Sequence, residues 1–323
     1  MMTSPSENEA PGSEGDEQAG GGTPDLGETE ALTRYLRQRR VLVDEALERF
    51  FPPPQRWPEQ LHSAASWALY GGGKRLRPVL ALAAFEAVGG TRDLPWDAVL
   101  PAACAVEMVH TYSLVHDDLP CMDADVERRG RPTVHVKYGE GMALLAGDAL
   151  LTEAFALLGN LESYRGAASA EQALEATRML GRAAGWQGMV GGQSIDLGFE
   201  FPVDDETALT FLHRRKTGEL FRFSTAAGAL FGDGSPDQIR ELGEYGELLG
   251  LAFQISDDLL DADEDAGERE ASPTPSYPGL LGRDAAQERC EELLDRCLEL
   301  LADYGEEATP LRRLAWFAVH RDH

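Results

Sequence analysis

Two aspartate clusters constrain this chain more than any other feature: DDLPCMD (Asp117, Asp118, Asp123) and DDLLD (Asp257, Asp258, Asp261). Each closes a long apolar run, PAACAVEMVHTYSLVH before the first and LLGLAFQIS before the second. Burying one carboxylate is costly, and burying several together is far costlier unless cations neutralise them. Two such clusters in a helical chain read as two halves of a polyvalent metal site. A hard divalent cation bound by a few carboxylates keeps waters and shares the oxygens of a phosphate ester. The competing reading is a solvated acidic turn. Chance pairs such as Asp204–Asp205 do arise among 56 acidic residues, but two clusters that both end apolar helices disfavour chance.

The spacing adds detail. Asp257 and Asp261 are four apart and so share one helix face. Pro120 ends the first helix just after Asp118, leaving Asp117 and Asp118 at a C-terminus whose dipole favours a cation. Asp123 returns from the following loop.

The formal charge of −27 argues against a nucleic-acid partner, since no broad basic face is available for a phosphate backbone. An acidic chain that binds an anion must instead concentrate its cations locally. Only three of its 29 cationic residues are lysines, Lys74, Lys137 and Lys216, and each falls in a segment marked on other grounds. GGGKRLRP (71–78) sets Lys74, Arg75 and Arg77 after three glycines, whose amides can approach an anion while the cations clamp it. It lacks the spacing of a P-loop, and its bland alternative is a helix-joining turn. ERRGRPTVHVKYGE (127–140) places Arg128 and Arg129 just after the first cluster. Carboxylates that hold metal beside guanidinium forks suit a diphosphate, and structural ion pairing is the alternative. KTGELF (216–221) offers Lys216 and Thr217 before a glycine that costs about 1 kcal/mol in a helix interior, the mark of a kink or a close approach. GGQSIDL (191–197) and Gln254 put polar groups where core residues are expected, and Gln254 lies three before Asp257 on about the same face.

Residues 1–28 are rich in Gly, Ser, Pro and Glu and read as a disordered acidic tail, with residues 29–323 as one domain. Helical periodicity runs from about Glu30 to near the end, over roughly 57–70, 77–90, 95–118, 140–159, 170–184, 206–231, 236–262, 284–303 and 308–319, with no alternating strand pattern. ASPTPSYPG (271–279) must be a loop. The expected fold class is all-α, a single large helical bundle around a central cavity. Cys104, Cys121, Cys290 and Cys297 lack metal spacing and read as reduced core thiols of a cytoplasmic protein. No apolar stretch reaches the ~18 residues of a membrane span, and no secretory signal is visible.

Taken in order, GGGKRLRP, HTYSLVHDDLPCMDADVERRGRPTVH, LAGDALL, GGQSIDL, KTGELF and GLAFQISDDLLD resemble the trans-prenyl diphosphate synthases, specifically the bacterial farnesyl/geranylgeranyl diphosphate synthase group, over about residues 30–320. The resemblance implies a bundle of ten or more helices whose two clusters face each other across a deep cavity. It implies that isopentenyl diphosphate is condensed with an allylic diphosphate (dimethylallyl, geranyl or farnesyl) with the help of about three Mg²⁺ ions, Mn²⁺ being a substitute. Asp117, Asp118, Asp123, Asp257 and Asp261 then correspond to metal ligands. Arg128 corresponds to an allylic-diphosphate contact, and Lys74, Arg77, His110 and Arg129 to the isopentenyl-diphosphate site. Lys216, Thr217 and Gln254 correspond to groups that hold the allylic diphosphate or steady the carbocation. A homodimer is also implied.

In this family, product length is limited by residues just before the first cluster. Here Tyr112 and Ser113 precede Asp117 by five and four residues, and the bulky tyrosine favours a farnesyl (C15) product over geranylgeranyl (C20). The chain departs from the pattern in one place: 262–279 carries no lysine, only Arg269, where relatives have a lysine-bearing loop. A non-catalytic subunit of a heteromeric synthase and a terpene cyclase are the alternatives. The intact DDLLD, KTG and GGGKRLRP segments weigh against both.

Overall fold

A computed structural model describes residues 26–51, 57–265 and 275–320. Most of the acidic tail and the lysine-free stretch with Arg269 fall outside the described residues. The helices are α1 (Leu26–Phe50), α2 (Glu59–Leu69), α3 (Leu76–Ala87), α4 (Gly90–Asp93), α5 (Leu100–Asp117), α6 (Val134–Tyr138), α7 (Glu140–Gly159), α8 (Ala170–Ala184), α9 (Met189–Asp196), α10 (Glu206–His213), α11 (Glu219–Phe231), α12 (Pro236–Asp265), α13 (Tyr277–Leu281), α14 (Arg283–Leu300) and α15 (Thr309–His320). The all-α expectation holds among the described residues, with one exception. A two-residue hairpin, β1 (Glu127–Arg128) and β2 (Arg131–Pro132), pairs Arg128 with Arg131. Strands this short carry no readable alternation.

Two apolar clusters fill the bundle, one built mainly on α5, α7 and α8 and the other on α12, α14 and α15. Helices α3 and α11 run between them and contribute to both. Leu82 and Phe85 of α3 face the first cluster while Leu80 and Ala84 face the second. The α3/α11 crossing is close because small residues line it: a side chain on Gly228 would strike the Ala81 carbonyl and lie 2.8 Å from the Ala84 Cβ. Such interdigitation supplies the close packing that fixes helix positions.

Four details depart from the sequence expectation. Helix α13 begins at Tyr277, inside the stretch ASPTPSYPG read as a loop, because Pro278 falls in its first turn, where a missing N–H costs nothing. GGQSIDL forms α9, although its glycines lower helix propensity; packing against Lys216 overrides it, because Gly192 lies directly on the Lys216 backbone. The expected continuous helix 206–231 is interrupted at Arg214–Gly218 by a π-helical turn, the distortion that the glycine of KTG signalled. An 18-residue window of helix α7 reaches a mean hydropathy of 1.6, long and apolar enough on average for a membrane span even though Asp148 and Glu153 interrupt it. Its Ala143, Ala146, Gly147, Leu150 and Ala154 are buried, as in the core helix of a bundle.

Candidate active site

The first cluster caps α5. Thirteen of its eighteen residues are buried, and the helix delivers its C-terminal aspartates to one end of the bundle. The Asp123 N–H donates to the Asp117 carbonyl at 2.8 Å, so the loop folds back and returns Asp123 to the helix end. Burial pushes the Asp117 carboxyl up to about 6; Lys216 opposes this, while Asp123 adds to it. Two adjacent aspartates then part ways. Asp117 lines a cavity, whereas Asp118 is buried and accepts from Arg128 Nε at 2.6 Å. Arg128 also donates to Asp125 at 2.8 Å.

The cavity has a volume of about 460 Å³. Arg77, His110, Asp117, Lys216 and Thr217 supply its polar wall. Tyr112, Met122, Met189, Leu197 and Phe199 are among its apolar lining, with Ser113 beside them. The Arg77 guanidinium stacks over Phe221 at 4.9 Å, and its buried Nε has no partner among the described residues. Burial lowers its pKa to about 10, with Arg129 adding to the effect and Glu107 opposing it, so it stays charged at neutral pH. An unpaired buried cation facing a cavity calls for an anion. His110 is held well below its ordinary value by burial and then by Arg77, Arg129, Arg128 and Arg75, so it is neutral and can donate one hydrogen bond.

The GGG turn explains how Arg129 comes close. Arg129 has φ 56° and donates to the Gly72 carbonyl, and a side chain on Gly73 would meet its guanidinium at 2.5 Å. Lys74 is exposed beside it. Arg75 is a correction to the reading of this segment as a three-cation clamp. It is buried and faces inward, bonded to Glu107 at 2.7 Å, Asp44 at 3.0 Å and the Leu69 carbonyl at 2.7 Å.

The π turn links the two clusters. Lys216 pairs with Asp196 of α9 and is the largest charge acting on Asp117. The Thr217 hydroxyl donates to the Gln254 side-chain oxygen Oε1 at 3.3 Å, and Gln254 Nε2 donates to Asp258 at 3.2 Å rather than facing Asp257 alone. Asp258 turns inward. It accepts the Tyr277 N–H at 3.0 Å, and burial raises it to about 6 despite these bonds. Asp258 therefore ties α13 to α12, while Asp257 and the more exposed Asp261 occupy the same helix one turn apart. Two residues of GGQSIDL had no role in the sequence reading. Gln193 lines the cavity with neither amide atom partnered among the described residues, and Asp196 anchors Lys216. Their three-residue spacing, which puts both on one helix face, was the available signal.

The polyprenyl synthetase sequence profile matches residues 58–271. The chain is 39% identical over 301 residues to a farnesyl diphosphate synthase of Geobacillus stearothermophilus, covering 91% of this chain and 99% of that one. It is 38% identical over 300 residues to the large subunit 1 of a heterodimeric geranylgeranyl pyrophosphate synthase of Arabidopsis thaliana, covering 90% and 79%. Among solved structures, an FPP/GFPP synthase of Zymomonas mobilis superposes with a TM-score of 0.80 at 36% identity, covering 90% of this chain and 99% of that one. With both aspartate clusters, the cation-lined cavity and the KTG turn in place, the chain belongs to the polyprenyl synthetase family of prenyltransferases.

Proposed function

We propose that this prenyltransferase condenses isopentenyl diphosphate head to tail with an allylic diphosphate and releases mainly the C15 product. The observation that carries the reading is the cavity itself, which brings Arg77, His110, Asp117 and Lys216 together with Tyr112 and other apolar lining. Lys74, Arg77, His110 and Arg129 bind isopentenyl diphosphate. Arg128 and Lys216 draw on the allylic diphosphate as its C–O bond breaks. Electrostatic stabilisation of that departing charge is the main catalytic term, and no protein nucleophile is needed. The apolar wall keeps water from the allylic cation, and the Thr217 and Gln254 oxygens steady it. The double bond of isopentenyl diphosphate attacks the cation, and the released diphosphate takes the proton lost as the new double bond forms.

The donor set suits magnesium. It consists of carboxylate oxygens supplied a few at a time by each cluster. That fits an ion which completes its shell with water and phosphate. Asp117 and Asp123 of the first cluster, together with Asp257 and Asp261 of the second, would hold about three ions, while Asp118 fixes Arg128. Bound Mg²⁺ would neutralise the diphosphate oxygens as they take up the leaving-group charge. A homodimer is in keeping with the exposed Leu144 and Leu145 on α7, and a cytoplasmic setting with four free cysteines, three of them buried.

The direct test incubates the purified protein with Mg²⁺, isopentenyl diphosphate and dimethylallyl, geranyl or farnesyl diphosphate, and sizes the products. No extension of any primer would refute the proposal, and a mainly C20 product would remove Tyr112 as the floor. Tyr112→Ala is expected to lengthen the product by at least one five-carbon unit, read by chromatography of the dephosphorylated alcohols.

The metal reading carries a pH signature. Asp117 and Asp258 are both raised to about 6 by burial, so the metal-free fold binds their protons more tightly than the unfolded chain does. Their contribution to stability is complete below an unfolded value of about 4 and is lost as pH rises through about 6. A cation needs Asp117 deprotonated, so the rise in Tm on adding Mg²⁺ is expected to be larger at about pH 7.5 than at about pH 5.5. Equal shifts in differential scanning fluorimetry would place the ion away from Asp117.

A further inference from the structure

His116 is one helical turn after Tyr112 and its ring also lines the cavity. The two rings meet edge to face, with centroids 5.7 Å apart and planes at 76°. On its other side the imidazole rests on α7, where Nε2–H donates to the Leu144 carbonyl at 3.0 Å. The ring fits there because residue 147 is glycine. A Cβ at that position would lie 2.9 Å from His116 Cε1 and nearer still to Cδ2 and Nε2.

We propose that Gly147 is a specificity-determining residue that sets product length through the position of His116. The inference rests on the reading of Tyr112 as the cavity floor. Glycine in the interior of a twenty-residue helix is a net cost relative to alanine, so its presence in α7 points to a packing requirement. That requirement is on the page: the imidazole occupies the space a methyl group would fill. With α7 behind the half-buried ring, a displacement away from α7 moves it toward the side where Tyr112 and the cavity lie. Rotamers in a helix are few, so the ring cannot swing freely to the solvent side. A side chain at 147 therefore drives His116 against Tyr112 and raises the floor on which the growing isoprenoid tail rests.

Gly147→Ala is expected to shift the main product one five-carbon unit shorter than that of the wild type. With geranyl diphosphate as primer, kcat/KM should fall about tenfold, the low end of what one methylene is worth in an apolar pocket. Extension of the shorter dimethylallyl primer should change far less. His116→Ala alone should lengthen the product, and in that background Gly147→Ala should have no further effect because nothing remains for the methyl group to strike. A wild-type product distribution from Gly147→Ala, or equal shortening in both backgrounds, would overturn the inference. If circular dichroism shows that Gly147→Ala does not fold, His116→Ala decides, and an unchanged product length overturns it. Tyr112→Ala separates the two ideas. If it leaves product length unchanged, the floor reading fails; if it lengthens the product while Gly147→Ala does nothing, only the role of Gly147 falls.

Discussion

Asp117→Ala is expected to lower kcat by about 10³-fold or more while leaving the far-ultraviolet circular dichroism of the helical bundle intact. Removing one preorganised group that stabilises developing charge costs about 10²–10³ in kcat, and a carboxylate that positions a divalent cation acts on more than one oxygen at once. Asp257→Ala should show the same pattern from the opposite cluster. The fold survives because the tie between the loop and α5 is backbone to backbone, Asp123 N–H to Asp117 carbonyl, and does not use the side chain. The free carboxylate is in fact a burden to the metal-free chain, since burial lifts its pKa to about 6. Asp117→Asn should therefore melt no lower than wild type without Mg²⁺ while losing turnover, the trade expected where a site is built at the expense of stability. Turnover within tenfold of wild type for Asp117→Ala would take that residue out of the site.

The second large effect is on stability. Arg75→Ala should destabilise the chain by about 3–5 kcal/mol, the cost of breaking a buried pair by removing one partner. Glu107 would be left buried and unpaired, since Arg75 supplies its 2.7 Å partner with both side chains under 5% exposed. The bonds to Asp44 and the Leu69 carbonyl would go as well. Thermal unfolding should move down by about 10 °C. The double variant Arg75→Met/Glu107→Leu should recover most of that loss, because replacing both partners removes the unpaired charge. Arg77→Ala, two residues on, should do the reverse. It should leave Tm nearly unchanged and raise KM for isopentenyl diphosphate. A melting point for Arg75→Ala within 2 °C of wild type would return Arg75 to the anion site.

These neighbours show where the sequence was legible and where it was not. The apolar period of α5, the proline after Asp118 and the glycine of KTG announced a helix, its end and its distortion, because each is a local backbone property. Arg75 and Arg77 look alike in GGGKRLRP. Their separation into core and cavity depends on Glu107, which lies 32 residues away, and no local pattern encodes it. The same holds for Asp117 against Asp118 and for Asp257 against Asp258. Consecutive helix residues point about 100° apart, and the partner that captures one of them, Arg128 or the Tyr277 amide, comes from another element. Helix α9 was hidden for a related reason: its glycines look like a loop until Lys216 is packed on Gly192.

The π turn at Arg214–Gly218 has a consequence for any attempt to tidy this protein. A π turn is a helix carrying one residue too many, and deleting a residue just ahead of Arg214 would restore regular i→i−4 bonding. By helix propensity alone the edited chain should be the better one. It would also be out of phase. Everything on one side of the edit would rotate by about 100° relative to the other, since each helical residue advances the face by that angle. Either α10 would turn out of its packing, or Lys216 and Thr217 would swing away from Asp196 and Gln254 together with α11, which would then present the wrong face to α3. The surplus residue keeps two incompatible helical phases joined in one continuous rod, so the irregularity should resist removal by stabilising design.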